Sequence, residues 1–289
     1  MQVGLRRHGV AVWCSTMILQ RIVISLVGLL GLVAVPASAA PLDVRFDKFN
    51  EVTPAGGKIK NESMRTLMRE ISFALGPRSS GPWASQGSLG VDFAYELGVS
   101  GAHSTEDYWK KAVEKPSDTL TSHMMRFRKG LPQSLQFGAN LGHLADSSLY
   151  SAGFELQGAL MDGFKAIPDI GFRVGLNGIF GNSHLENFFN VFGDFGISKS
   201  FGIGGLLALQ PWGSYSAAWT YFKPLAEKII PDERTMQEIT PKYTYELTLA
   251  QRASFGVRVV MARFQFGVEI TRSFTDSLNL FTTRIGAVF

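Results

Sequence analysis

The chain has 289 residues, with 28 Lys and Arg against 24 Asp and Glu. Without Arg6, Arg7 and Arg21, which lie in a leader-like N-terminus, 25 basic residues face the same 24 acids, so no charge excess points to nucleic acid. Cys14 is the single cysteine and lies in the same leader, which excludes a disulfide framework, a thiol nucleophile, a Cys-based metal site and a lipoprotein anchor from the remainder.

Residues 1–39 are expected to be a signal peptide. Arg21 precedes an apolar run from Ile22 to Val35, too short to span a bilayer and of the right length for a signal core. Ala37-Ser38-Ala39 supplies a small-x-small cleavage site, and Met17 offers an alternative start with a conventional n-region. No later run reaches the roughly 18 apolar residues of a membrane helix, so a membrane-spanning fold would have to use strands.

Residues 40–86 form an N-terminal segment, expected in the periplasm. Met64, Leu67, Met68, Ile71 and Leu75 have helical spacing, while Ile71, Phe73 and Leu75 also fit the start of a strand. A short periplasmic helix or a plug-like element accounts for it; two extra strands here would give twelve in all.

From residue 87 onward the period is two. Leu89, Val91, Phe93, Tyr95, Leu97 and Val99 alternate with Gly90, Asp92, Ala94, Glu96 and Gly98. The same pattern places ten strands at about 87–100, 119–130, 133–144, 149–162, 167–180, 188–199, 202–221, 250–261, 263–273 and 278–289. Their links alternate in kind. Residues 101–118, 145–148, 181–187, 222–249 and 274–277 are mostly long or polar; those around Gly130-Leu131-Pro132, 163–166, Ser200-Phe201 and Ala262 are tight. Long links on one side and tight turns on the other put the long loops outside, and an even count leaves both chain ends on the periplasmic side. The fold class expected is all-β, an antiparallel up-and-down transmembrane barrel.

The last strand ends on an aromatic residue. Phe281, Ile285, Ala287 and Phe289 share its apolar face, with Ala287 where an aromatic is common. This terminus resembles that of Gram-negative outer-membrane β-barrel proteins. The run Arg128-Lys-Gly-Leu-Pro-x-Ser, followed by Phe137-Gly and Gly142, is similar to a signature of uncharacterised barrels of myxobacterial type. The resemblance implies an outer-membrane location, an assembly signal at Phe281, Ile285, Ala287 and Phe289 read by the barrel-assembly machinery, and contact with outer-membrane lipid and lipopolysaccharide. It implies no activity, no cofactor and no oligomeric state.

With the apolar face toward lipid, the other face carries Asp92, Glu96, Glu155, Asp194 and Glu269 against Arg126, Arg128, Arg173, Arg258 and Arg284, and no lysine. Arginine's planar fork satisfies several carboxylates at once, so this set reads as a balanced network that fills a narrow lumen and fixes register. The alternative is a charged constriction for a small solute or ion. Inward glycines such as Gly98, Gly138 and Gly171 leave room for long side chains. Tyr95, Tyr150, Trp212, Tyr215, Trp219 and Tyr221 suit interfacial girdles.

Candidate chemistry is thin. His103, Glu106, Asp107, His143, Asp146, His184 and Glu186 fall toward the long-loop rim, where a lipid- or peptide-cleaving site would sit, but no spacing matches such a family. The histidines are never paired at metal-ligand spacing on one element, and Gly202-x-Gly204-Gly205 lacks the Lys-Ser/Thr of a phosphate loop. Ser104 is placed to cap a short helix with Asp107 at the capping-box position. Lys110 and Lys111 are candidates for lipopolysaccharide phosphates. Two functions stay open: a structural or surface-interaction barrel with a charge-lined lumen, and a porin-like channel for small solutes or ions.

Overall fold

The computed structural model describes residues 41–45, 49, 62–79, 81–182, 185–224, 230–231, 238–239 and 246–289. Residues 1–39, the expected signal peptide, lie outside them. In chain order the elements are α1 (Glu62–Leu75), β1 (Val91–Gly101), α2 (Asp107–Ala112), β2 (Thr119–Gly130), β3 (Leu135–Leu144), β4 (Tyr150–Met161), β5 (Asp169–Phe180), β6 (Leu185–Ser198), β7 (Phe201–Ile203), β8 (Leu207–Pro224), β9 (Ile230–Pro231), β10 (Glu238–Ile239), β11 (Glu246–Met261), β12 (Phe264–Ser273) and β13 (Asn279–Val288).

Ten strands close into an antiparallel barrel. The order is β11-β12-β13-β1-β2-β3-β4-β5-β6-β8, and β8 pairs back to β11. The first and last strands meet in a regular seam, from Asp92 opposite Val288 to Ser100 opposite Leu280. The final residue extends it: Phe289 and Val91 exchange two backbone hydrogen bonds, at 2.8 and 2.9 Å. The walls are unequal. β8 has 18 residues and β11 has 16, while β3, β12 and β13 have 10 each.

The tenfold alternation places one end of the barrel at the long links and the other at the short turns. The stretch expected as one strand at 202–221 divides differently. β7 pairs with β8 at Phe201 opposite Leu209, and the turn lies at Gly204 and Gly205, both with positive φ, rather than at Ser200-Phe201. At these two positions the left-handed backbone favours glycine.

The N-terminal helix is inside the barrel. α1 begins with Glu62 and stops at Gly76-Pro77, where proline cannot continue it. A Cβ on Gly76 would lie 2.2 Å from the Ser72 carbonyl oxygen, so only glycine permits this close exit. The helix buries Met64, Leu67, Met68, Ile71 and Leu75 against Leu120, Leu144, Ile179, Phe188 and Phe222, residues from the loop ends of five strands. Of the two placements expected for this helix, the plug is the one found. Ala39–Phe289 forms a single compact unit. The reason is burial: the apolar stripe of α1 needs a cover, and the inward apolar ends of the strands supply it. No helix among the described residues is long and apolar enough to cross a membrane.

Candidate functional site: a plugged, charge-filled lumen

The two faces of each strand have opposite chemistry. β12 is exposed at Phe264, Phe266, Val268 and Ile270, and buried at Gln265, Glu269 and Thr271. The other strands follow this alternation, with apolar side chains outside and polar side chains or glycines along much of the inside, while Leu120, Leu144, Ile179, Phe188 and Phe222 turn inward at the loop end. Phe93 and Phe172 face outward and are half-buried; Phe137 and Phe266 face outward and are exposed.

All ten predicted charges face the interior and are buried. They form linked clusters. Near the turn end, Asp92 accepts from Arg284 Nη2 at 2.7 and 2.8 Å, from Arg258 Nη1 at 3.3 Å and from Gln265 Nε2 at 2.6 Å. Glu155 accepts from Arg128 Nε at 2.7 Å and Arg173 Nη1 at 3.0 Å. Arg173 also forks onto Asp194, with Nε at 2.7 Å. Glu96 lies 3.7 Å from Arg126 and 3.5 Å from Arg284. Glu269 accepts from Thr271 Oγ1 at 3.0 Å. Each acid taken out of water must be matched by several donors, and the arginine forks supply them.

The structure adds partners that the strand pattern did not supply. Residues 76–79 and 81–86 lead from the end of α1 toward the turn end, outside any strand. Wall side chains satisfy several of their backbone carbonyls. Arg173 Nη1 donates to the Arg78 carbonyl at 2.6 Å and Arg126 Nη2 donates to the same oxygen at 3.0 Å. Gln157 donates to the Pro82 carbonyl at 3.2 Å and Gln136 to the Ala84 carbonyl at 2.9 Å. Arg78 itself lies 3.9 Å from Glu96, donates to Ser122 Oγ at 2.5 Å, and covers Gly98. Trp83 lies flat over Gly171 and Gly196, and its amide donates to Ser198 Oγ at 2.8 Å. Thus the inner glycines make room for plug side chains as well as for wall arginines. Arg252, on the same face as Arg258, is buried with its guanidinium 5.2 Å above the Phe73 ring.

At the loop end a carboxylate holds the helix to the long β1–β2 link. Glu70 is fully buried. It accepts from Trp109 Nε1, Tyr108 Oη and His103 Nδ1, each at 2.7 Å, and from the His103 amide at 3.2 Å. Burial and the bond to Glu70 hold the Tyr108 phenol above its ordinary range. Arg69 Nε meets Asp276 at 2.8 Å, and Arg65 Nε meets Glu246 at 2.8 Å.

The rim residues considered for catalysis do not converge. His103 is engaged with Glu70, whereas His143 lies on the outer face, 4.6 Å from Tyr150, with Nε2 3.1 Å from the Ser147 carbonyl. Glu106 is the N-cap of α2 without a side-chain capping bond, Asp107 makes a 4.0 Å exposed pair with Lys110, and Asp146 takes a positive φ. Ser104 does not cap α2; its hydroxyl bonds to Asp118 instead. His184 and the side chain of Glu186 lie outside the described residues. Among the described residues no three His, Cys, Asp or Glu side chains gather to hold a metal. Of the girdle set, Trp212 is a correction: it points inward, buried, against Gly256, because its position has inward parity on β8.

Ten walls of exposed Phe, Leu, Ile and Val, closed around buried arginines and acids, make a surface suited to hydrocarbon and not to water. The fold is that of an outer-membrane β-barrel. No protein-family model matches the chain, and no curated protein matches it. Solved structures that it resembles include an outer-membrane channel of Pseudomonas putida F1, at 14% identity and a TM-score of 0.36, covering 74% of this chain and 100% of that one. Others are the attachment invasion locus protein Ail of Yersinia pestis, at 9% identity and a TM-score of 0.27 over 70% of this chain and 99% of that one, and Omp33 of Acinetobacter baumannii, at 9% and 0.27 over 70% and 100%.

Proposed function

We propose that this barrel resides in the bacterial outer membrane, reached after signal-peptide cleavage, and that it serves as a closed structural or surface-interaction barrel rather than a channel. One observation carries the reading: plug carbonyls at Arg78, Pro82 and Ala84 are each taken by a wall side chain. A solute path would need those donors for water or solute, and here they are committed to the chain itself. Asp92, Glu96, Glu155 and Asp194 each lie against one or more wall arginines, so these acids form no exposed ring to select an ion. In this reading the loop face does the binding, with Lys110 and Lys111 at the exposed surface of α2 facing lipopolysaccharide phosphates, and the strand that ends at Phe289 is presented to the barrel-assembly machinery.

Reconstitution into planar bilayers tests it. The intact barrel is expected to give no steady conductance, and reproducible open-channel steps with α1 still in place would overturn the closed reading in favour of a porin-like one.

A further inference from the structure

Residues 41–45 lie at the loop end of the barrel, and residues 62–79 and 81–90 lead from that end to the turn end. At the loop end, the Lys115 amide donates to the Pro41 carbonyl at 3.4 Å, the Leu42 amide to the Asp146 carbonyl at 2.9 Å, and the Arg45 amide to the Ala112 carbonyl at 2.7 Å. Asp43 accepts from the Ser148 amide at 2.6 Å, and Asn182 donates to the Val44 carbonyl at 2.8 Å. These partners come from three different links, β1–β2, β3–β4 and β5–β6, all at the same end. Leu42 and Val44 are buried in the apolar cluster that caps α1. At the opposite end, the Ser85 amide donates to Asp162 at 3.2 Å, and Lys129 Nζ reaches the Ser88 carbonyl at 2.7 Å; both partners lie at short turns.

Between these ends the chain is surrounded. Ser122 of β2, Gln157 of β4, Arg173 of β5, Ser198 of β6 and Ser214 of β8 all bond to residues 74–83. Partners on so many walls are reachable only from within a closed barrel.

We propose that the chain end left by cleavage after Ala39 lies on the membrane side faced by the long loops, so that residues 41–45 are displayed at the cell exterior while the chain reaches β1 through the lumen. Long loops of such barrels face outward, and the proposal rests on the outer-membrane reading above for the name of that side. The lumen then has a job that needs no solute: it holds a fixed tether, anchored by buried side-chain bonds, between an exterior chain end and the first strand.

Single-cysteine labelling tests this, because Cys14 is the one native cysteine and can be replaced by serine. Four variants are compared in that background: Pro41→Cys, Ser88→Cys, Thr105→Cys in the β1–β2 link and Lys165→Cys in the β4–β5 turn, all exposed positions. Intact cells receive a membrane-impermeant maleimide, and heat-modifiable gel migration confirms that each variant is folded. Pro41→Cys and Thr105→Cys are expected to label in intact cells, with Ser88→Cys and Lys165→Cys labelling only after the outer membrane is permeabilised. Thr105→Cys labelled with Pro41→Cys protected would overturn the display and leave the orientation standing. Pro41→Cys and Ser88→Cys on one side would overturn the threading. Lys165→Cys labelled with Thr105→Cys protected would overturn the orientation, and display with it.

Discussion

Replacing Glu70 with alanine should unlatch the β1–β2 link from the plug. The carboxylate gathers four hydrogen bonds, but they are not equal. Trp109 is buried, so its Nε1 has no water to turn to; a lost bond to a charged acceptor there costs about 1.5–3 kcal/mol. Tyr108 is half-buried and the His103 side chain is 42% exposed, so solvent replaces much of what they lose, at about 0–1 kcal/mol each. The total is about 3 kcal/mol, or roughly a hundredfold in the opening equilibrium of the link. Trypsin reads it directly, since Lys110 and Lys111 lie in that link, whereas Lys115 precedes Pro116 and is not cut. When opening and closing are fast relative to cleavage, the cleavage rate follows the open population, so Glu70→Ala should be cut about a hundredfold faster than the native chain in detergent. Glu70→Gln keeps an acceptor for Trp109 and should fall in between. Equal cleavage rates for Glu70→Ala and the native chain, with heat-modifiable migration unchanged, would refute the latch.

Arg173→Met should cost about 3–5 kcal/mol, because it strands the buried Asp194 and removes one of two donors from Glu155 and from the Arg78 carbonyl; a heat-modifiability transition as high as the native one would contradict this. Gly196→Val places a Cβ about where Trp83 lies, 2.1 Å from its Nε1, and the overpacking should cost about 1–3 kcal/mol with a shift in tryptophan emission; an unchanged spectrum and stability would argue against the stacked plug. For Tyr108 the sign follows from its raised folded-state value: the neutral phenol is the form the fold holds, so its contribution is complete below the ordinary tyrosine range near about 10 and is lost only as pH climbs through the folded value. Ultraviolet titration of Tyr108→Phe should therefore match the native chain near about pH 10, and a missing phenolate in the variant at that pH would show that Tyr108 ionises normally. Phe289→Ala keeps the backbone bonds to Val91, so the variant refolded in detergent should close as well as the native barrel while its yield in cell membranes falls; equal yield would remove Phe289 from the assembly signal.

The walls were legible because a two-residue period survives in nearly every strand, and a lipid-facing sheet must keep it. Parity then carried the charges: once Phe266 and Val268 face out, Glu269 has to face in. Parity applied to β11 also reaches Arg252, six residues before Arg258 and on the same face; the clear apolar alternation begins only at Phe255, so nothing around Arg252 marks its face. The plug was harder. Five apolar residues at helical spacing do not say what covers them, and Glu70 looks like the solvent face of an ordinary amphipathic helix. Its partners, His103, Tyr108 and Trp109, are over thirty positions away and gather only when the link folds over the rim. Arg78 sits among Gly76, Pro77, Gly81 and Pro82, a composition that marks an extended stretch but names no partner. Trp212 misled because aromatic type was weighed above its parity with Ser214.

The unequal strand lengths have a consequence for the surrounding bilayer. At about 3.3 Å per residue and a tilt near 40°, ten-residue strands rise about 25 Å, close to the apolar band of such barrels, while β8 rises about 45 Å. The short strands therefore match the hydrocarbon thickness and the long pair β8 and β11 overshoots it, running past the end of β12 on the loop side. Lipids cannot form an even collar around such a shape. Either the leaflet swells beside the tall flank or the cylinder leans toward it, so this protein should imprint a direction on the membrane plane and favour neighbours that share the same slope.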